Sequence, residues 1–197
     1  MKHILIISIL TVFLNGYDKN DLEKFISTKI CEECDLSDAD LSSHDFSNSD
    51  LSAADLSGAI LDNSNFAKSK FWGADMSGIS AKGVNFFFSN LEGVDLSEAN
   101  CQDAVFKGAN LNNSEISNGN FIDSSFWAAK IDGVSLSNIN FKGARLADSK
   151  FIEVDLRDSN IEDIIVFGAI FKNSIFTKTQ CAYLIKEEAI LESPICK

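Results

Sequence analysis

The sequence predicts one elongated repeat domain with a continuous core, and two observations lead to this prediction. A large apolar residue recurs at nearly every fifth position from Leu36 to Phe176. The position two before it usually holds a small residue. Neither column contains Lys, Arg, Asp or Glu, although 23% of the chain is charged, so both columns must be shielded from water. A period of five fits neither an α-helix nor a plain β-strand.

Individual copies of this repeat read A-D-L-S-S at 39–43, A-D-L-S-G at 54–58 and A-N-L-N-N at 109–113. They resemble the A-(D/N)-L-x-x unit of the pentapeptide-repeat proteins, and repetition makes the resemblance specific. It implies an all-β solenoid, a right-handed quadrilateral β-helix in which four pentapeptides form one square coil. It also implies that the middle residue of each unit and the small residue two before it point inward.

A second period of twenty residues agrees with four faces per coil. The third face has phenylalanine as five successive middle residues, which predicts an aromatic ladder inside the coil: Phe46, Phe66, Phe86, Phe106 and Phe126. Nine of the 11 glycines, from Gly58 to Gly168, fall two after a middle residue, where the family turns its corner. We expect about seven coils over residues 31–179.

The first face carries an acidic column, which precedes its middle residues: Asp35, Asp55, Asp75, Asp95, Glu115 and Asp155. One interpretation is that these carboxylates accept hydrogen bonds from neighbouring Ser hydroxyls and turn amides. The other is a site for divalent cations or a basic partner. The formal net charge of −12 argues against direct nucleic-acid binding, which needs clusters of Lys and Arg.

The first residues predict export. Lys2 precedes an apolar run from Ile4 to Leu14, which suits a signal peptide and is short for a membrane span. Because Leu14 and Gly16 only partly meet the small-x-small rule, residues 1–16 are either a cleaved signal or an uncleaved anchor. We expect a periplasmic or extracellular bacterial protein, held at the membrane only if the segment is retained.

A short capping helix is predicted over residues 17–30, with Asn20 or Asp21 as N-cap. Leu22, Phe25 and Ile26 lie at helical spacing and would cover the first coil.

A second capping helix and tail are predicted over residues 180–197, with the helix running from Cys181 to Leu191 and Pro194 ending it. Ala182, Ile185 and Ala189 would form one apolar face of this helix. Some pentapeptide-repeat proteins dimerise through such a helix, so the resemblance leaves a homodimer open.

The five cysteines divide into two end pairs and one central residue. Cys31 and Cys34 form a C-x-x-C motif, which can be a redox pair, half a zinc site or a disulfide. In an exported chain we favour a disulfide that joins the cap to the first coil. Cys181 and Cys196 bracket the second helix and are candidates for another. Cys101 is expected to be a reduced core thiol.

No catalytic constellation can be assembled from the sequence. The only histidine of the array, His44, occupies an inward small-residue position, and we expect a partly exposed, structural side chain there. The sequence therefore predicts a protein that is not an enzyme and has no cofactor or metal.

The candidate contact surface, called here the aromatic stripe, follows the outward column just after the middle residues of the third face, with neighbours on that face: Phe87, Phe88, Val105, Trp127, Ile165 and Phe167. A contiguous apolar stripe on a soluble protein suggests a protein or glycan contact. The predicted function is a structural or protein-binding scaffold with an unidentified protein partner. The alternative comes from the resemblance: some family members mimic DNA with an acidic rod and bind DNA gyrase.

Overall fold

The computed structural model describes residues 16–197. Helix α1 (Lys19–Thr28) comes first, and an array of parallel coils follows it. In most of the array each face pairs through a single bridge, and extended strands form toward the carboxyl end. These strands are β1 (Lys130–Asp132), β2 (Lys150–Ile152), β3 (Ile170–Lys172), β4 (Ile175–Phe176), β5 (Ile190–Glu192) and β6 (Ile195–Cys196). Helix α2 (Lys178–Lys186) lies between β4 and β5.

Neighbouring coils pair in parallel with a register of twenty residues, as the second sequence period predicts. The Leu36 amide donates to the Asp55 carbonyl at 2.7 Å, and the Asp55 amide donates to the Cys34 carbonyl at 2.9 Å. The same pattern recurs up the array. Strands β1, β2, β3 and β5 form one parallel sheet on the fourth face, and β4 pairs with β6 on the first.

The two predicted columns form the core. Their apolar members are buried from Cys34 to Phe176. The buried serines of the small column donate to main-chain carbonyls, as Ser64 and Ser69 do, or to another serine hydroxyl, as Ser49 does. The aromatic ladder of the third face is confirmed, because its five rings follow one another at centroid distances of 5.4, 6.0, 5.2 and 4.7 Å. The sequence pattern therefore located the interior correctly.

The corners of the coils require a left-handed backbone at the position two after each middle residue. The nine predicted glycines all have positive φ there, but Asn63 at φ 58° and Phe88 at φ 52° adopt it as well. Gly108 has a second reason to be glycine. A Cβ atom on it would lie 2.7 Å from the Phe88 ring, which covers this corner.

Helix α1 begins two or three residues earlier than the predicted N-caps imply. Its N-cap is Asp18, whose carboxylate accepts from the amides of Asn20 at 2.7 Å and Asp21 at 3.3 Å, so neither predicted N-cap residue has that role. Phe25 is buried against Phe46, the first ring of the ladder, at 4.6 Å. Leu22 is partly buried, and Ile26 is exposed.

The prediction of a helix from Cys181 to Leu191 is wrong at both ends. Helix α2 begins after Thr177, which forms a capping box with Gln180, and it ends at Lys186, well before Pro194. The chain then returns to the array, because β5 pairs with β3 and β6 with β4 in the same twenty-residue register. Leu191 lies opposite Phe171 and continues its column.

The predicted signal or anchor lies in residues 1–16, of which all but Gly16 are outside the described residues. Within residues 16–197, no helix has the length and apolar character that a membrane crossing requires.

Candidate protein-contact surface

The aromatic stripe lies on the outside of the third face, as predicted. Phe87 and Phe88 contact each other edge to face at 4.5 Å, and Phe88 is 58% exposed. Val105 is half-buried. Ile165 is 50% exposed and Phe167 63% exposed at the carboxyl end of the stripe. The structure thus brings the six candidates to one face, although Val105 contributes little exposed surface.

Lys107 occupies the coil between Phe87 and Trp127. Its ammonium nitrogen lies 3.7 Å from the Trp127 ring centroid and 5.8 Å from that of Phe87. A cation over an aromatic face is attracted to the ring electrons, by about 0.5–1 kcal/mol at exposed sites. Lys107 therefore links two aromatic side chains that are two coils apart.

Trp127 is also held by a hydrogen bond at the edge of its indole ring. Its indole N–H donates to the Asp148 carboxylate at 2.8 Å, across one coil. The side chain is nevertheless 40% exposed. Trp127 is thus an oriented ring on the surface, fixed by a cation from the preceding coil and a carboxylate from the following one.

The acidic column of the first face is hydrogen-bonded in the way that the first interpretation describes. Asp35 accepts from the amide and hydroxyl of Ser37 at 3.1 and 2.7 Å, and Asp55, Asp75, Asp95 and Glu115 each accept from the serine amide two residues later. These local bonds orient the carboxylates and offset their mutual repulsion.

Asp155 departs from this pattern because Arg157 replaces the serine. The guanidinium Nε lies 2.9 Å from one carboxylate oxygen and 3.1 Å from the other. The hydrogen bonds from Arg157 lower the pKa of Asp155. The acidic column is therefore neutralised locally at its carboxyl-terminal member.

Both candidate disulfides are present in the structure. Cys31 is bonded to Cys34 at the junction of α1 and the first coil, and Cys181 to Cys196, which joins α2 to β6. Cys101 is a free, buried thiol, and burial raises its pKa. The carboxyl-terminal bond thus ties α2 to the last coil, whereas the Cys31–Cys34 bond lies after the end of α1 and does not join that helix to the array, contrary to the prediction from the sequence.

His44 belongs to the inward small column, and the partly exposed side chain predicted there is exposed in the structure. Its Nδ1 lies 2.5 Å from the Ser42 carbonyl oxygen, and its ring stacks on Phe46 at 5.6 Å. The column accepts side chains as large as Ile79, so size is not the reason for this exposure. An imidazole is polar and would be costly to bury among apolar residues without hydrogen-bond partners, whereas on the outside it reaches the Ser42 carbonyl.

The sequence model of one protein family, described as Pentapeptide repeats, matches residues 30–66, 59–97, 89–127 and 128–163 with 8 copies of the repeat. The chain belongs to the pentapeptide-repeat family. Members of this family fold as right-handed quadrilateral β-helices, in agreement with the twenty-residue register of the coils. No curated protein sequence matches the chain.

Several solved pentapeptide-repeat proteins are similar to the chain. A trypsin-treated variant of QnrB1, a plasmid-mediated fluoroquinolone resistance protein, is 18% identical with a TM-score of 0.50, over 78% of this chain and 83% of QnrB1. A pentapeptide-repeat protein of the Arabidopsis thaliana thylakoid lumen is 26% identical with a TM-score of 0.37, over 70% and 74% of the two chains. The likeness to QnrB1 supports the fold alone.

Two features of this pentapeptide-repeat protein were missed by sequence reasoning. The first is the contact of Lys107 and Asp148 with Trp127, although Lys107 is visible in the same outward column. The second is a cavity of about 360 Å³ beside α2. Gln180 and Tyr183 of α2 contribute to its lining, so the position of the cavity depends on where this helix begins. No sequence periodicity marks this cavity.

Proposed function

We propose that the protein is a non-enzymatic scaffold that binds another protein through the aromatic stripe. The observation that carries this proposal is the exposure of Trp127 and Phe167 on the same face of a rod with a formal net charge of −12. Exposed, oriented aromatic residues are typical anchors of protein interfaces. A non-enzymatic role is supported by the outward serines of the first face, such as Ser37, whose hydroxyl is bonded to the preceding carboxylate.

The test places a photo-crosslinking amino acid at Phe167 and, as a matched control, at Trp72, which is 58% exposed on the fourth face. We expect the Phe167 position to crosslink one protein in the native extract, identified by mass spectrometry, and Trp72 not to. The partner should then lose at least about tenfold in affinity when Phe87, Trp127 and Phe167 are together replaced by Ser. Equal affinity for this triple variant, with unchanged circular dichroism, contradicts the proposal.

A second copy of the chain is among the partners that this experiment can identify. Crosslinks from Phe167 to the chain itself would assign the stripe to a homodimer, and light scattering would then give twice the monomer mass, which is 21.6 kDa for the full 197-residue chain. The triple Ser variant should be monomeric in that case.

We also propose that the protein is exported. Lys2 and the apolar run from Ile4 to Leu14 support this, as does the presence of two disulfides, which persist in oxidising compartments. Amino-terminal sequencing of the protein from cell fractions tests it. A full-length chain in the cytoplasmic fraction contradicts export.

Within this scaffold we assign to the two helices the role of caps on about seven coils. Supporting contacts exist at both ends. The Asp21 carboxylate accepts from the amide of Asp35 in the first coil at 2.9 Å. The Gln180 side chain donates to the Leu156 carbonyl at 2.7 Å. Each helix thus satisfies main-chain groups at one edge of the array, which reduces the risk of edge-to-edge association.

The second candidate is a DNA mimic that binds DNA gyrase. The acidic column of the first face favours it, since its carboxylates repeat at one coil spacing along a rod, about 4.8 Å. Localisation discriminates between the two functions, because gyrase acts in the cytoplasm. Inhibition of gyrase supercoiling by the purified protein, lost when Asp55, Asp75 and Asp95 are replaced by Asn, would establish this candidate.

A further inference from the structure

Five successive coils present one outward column on the third face, with rings on alternate coils: Phe87, Lys107, Trp127, Ala147 and Phe167. The coils are adjacent, because the Gly108 amide donates to the Trp127 carbonyl at 2.9 Å and the Asp148 amide to the Phe167 carbonyl at 3.2 Å. Consecutive rings are therefore two strand spacings apart, about 9.6 Å. This leaves two gaps of equal height in the column.

The first gap, between Phe87 and Trp127, is filled by the chain itself. Lys107 extends into it and places its ammonium group 3.7 Å from one ring centroid and 5.8 Å from the other. The protein thus shows that a cation can be accommodated between two rings of this column at this spacing.

In the second gap, between Trp127 and Phe167, the outward residue is Ala147, whose side chain is only a methyl group. Both rings are exposed, at 40% and 63%, and Phe167 has no aromatic or cationic partner among residues 16–197. The Asp148 carboxylate is placed at the edge of the gap by its bond to the Trp127 indole. The second gap is therefore bounded by two exposed aromatic residues, as the first is bounded by Phe87 and Trp127, and has a carboxylate beside it.

The surroundings of Phe167 extend this site. A cavity of about 260 Å³ is lined by Ile165, Phe167, Glu187 and Glu188 among others. Glu187 is paired with Lys186 at 2.8 Å, whereas Glu188 is exposed. Beyond the Phe167 ring there are thus space and carboxylates for the partner residues that flank a cation bound in the second gap.

We propose that the gap between Trp127 and Phe167 binds an arginine side chain of the protein partner, a role that rests on the proposed function of the aromatic stripe. A guanidinium group is planar, stacks on aromatic faces and pairs with a carboxylate such as Asp148. The acidic rod attracts basic segments. Arg145 lies outward on the same coil as Ala147 and opposes the bound cation, so its removal should strengthen binding.

The test uses Trp127 as its own reporter. The chain has 2 tryptophans, so the Trp72→Phe variant leaves Trp127 as the only one. Its fluorescence is titrated with acetyl-Gly-Gly-Arg-Gly-Gly-amide and with the same peptide carrying neutral citrulline or lysine. We expect a saturable change with the arginine peptide, none with citrulline and a weaker one with lysine. The Arg145→Gln variant should bind the arginine peptide more tightly.

The matched variants are Ala147→Lys and Ala67→Lys, made in the Trp72→Phe background. They add the same charge to the same outward column, but only the first fills the gap, as Lys107 does below it. We expect Ala147→Lys to lower the affinity for the arginine peptide by at least about tenfold. Ala67→Lys should leave this affinity within about twofold of that of the parent variant. Ala147→Leu, which fills the gap without charge, should weaken it as well. Circular dichroism checks that each variant is folded.

No saturable response to the arginine peptide, equal affinity for the lysine peptide, or equal affinity in the two Lys variants overturns the proposal. Binding of the crosslinked partner to these variants distinguishes a failure of this proposal from a failure of the proposed function. If the partner still binds Ala147→Lys but not the triple Ser variant of the aromatic stripe, the stripe is a contact surface without an arginine gap. If it binds both, the proposed function fails too.

Discussion

Replacing Phe106 by Ala should lower the free energy of unfolding by about 4 kcal/mol. The side chain is fully buried, with its ring 4.7 Å from Phe126 and 5.2 Å from Phe86. A buried phenylalanine removes roughly 150–200 Å² from water, which at about 25 cal/mol per Å² corresponds to roughly 4–5 kcal/mol. Phe106→Leu should cost less than half as much, because it refills most of the volume.

Phe88→Ala is the matched control, because it removes the same group from an exposed position next to the ladder. We expect it to cost less than about 1 kcal/mol. Urea unfolding, followed by both circular dichroism and tryptophan fluorescence, measures all three variants and shows whether the array unfolds as one unit. A loss for Phe106→Ala below about 2 kcal/mol, or equal to that of Phe88→Ala, would refute the reasoning that the Phe106 ring stabilises the protein by packing tightly in the interior.

Three further outcomes are expected. Replacing both Cys181 and Cys196 by Ser should destabilise the protein by about 3 kcal/mol, because the bond closes a loop with a sequence separation of 15; an unchanged melting temperature speaks against this. Asp155→Asn should destabilise by less than about 1 kcal/mol at pH 7, since its partner Arg157 is solvent-exposed. Because the pKa of Asp155 is lowered in the folded protein, its contribution to stability is present above the usual value of 3.8 and is lost as the pH falls through the folded pKa. The stability difference between the variant and the wild type should therefore vanish in acid. A difference that stays constant with pH contradicts the pairing. Cys101 should resist alkylation in the native protein and react after unfolding, and modification of the folded chain would place it outside the core.

Most of the fold could be predicted because the same five-residue rule is repeated many times. The middle residues and the small column alternate with outward positions, and any charge in them would be buried without a partner. The order of rings from Phe46 to Phe126 follows from the register alone. The carboxyl end was predicted less well. Ala189 and Leu191 continue the small and middle columns, but the intervening helical segment obscured this register.

The chemistry of the contact surface could be predicted only in part. The outward column containing Trp127 and Phe167 follows from the register, and so does the position of Lys107 between two rings. The direction in which a flexible lysine side chain extends does not follow from it, nor does the bond from Trp127 to Asp148, which crosses from one coil to the next. Such contacts depend on rotamers, which a repeat pattern leaves open.

The bond between Cys181 and Cys196 also bears on how the rod responds to mechanical force. Backbone hydrogen bonds join one coil to the next along the rod, so tension between its ends loads them one coil at a time. Tension applied at Lys197 passes through Cys196 directly to Cys181 and bypasses β5. The segment between the two cysteines, which contains β5, therefore carries no load. The three-residue separation of Cys31 and Cys34 gives α1 no such protection, and unravelling under tension should begin at that end.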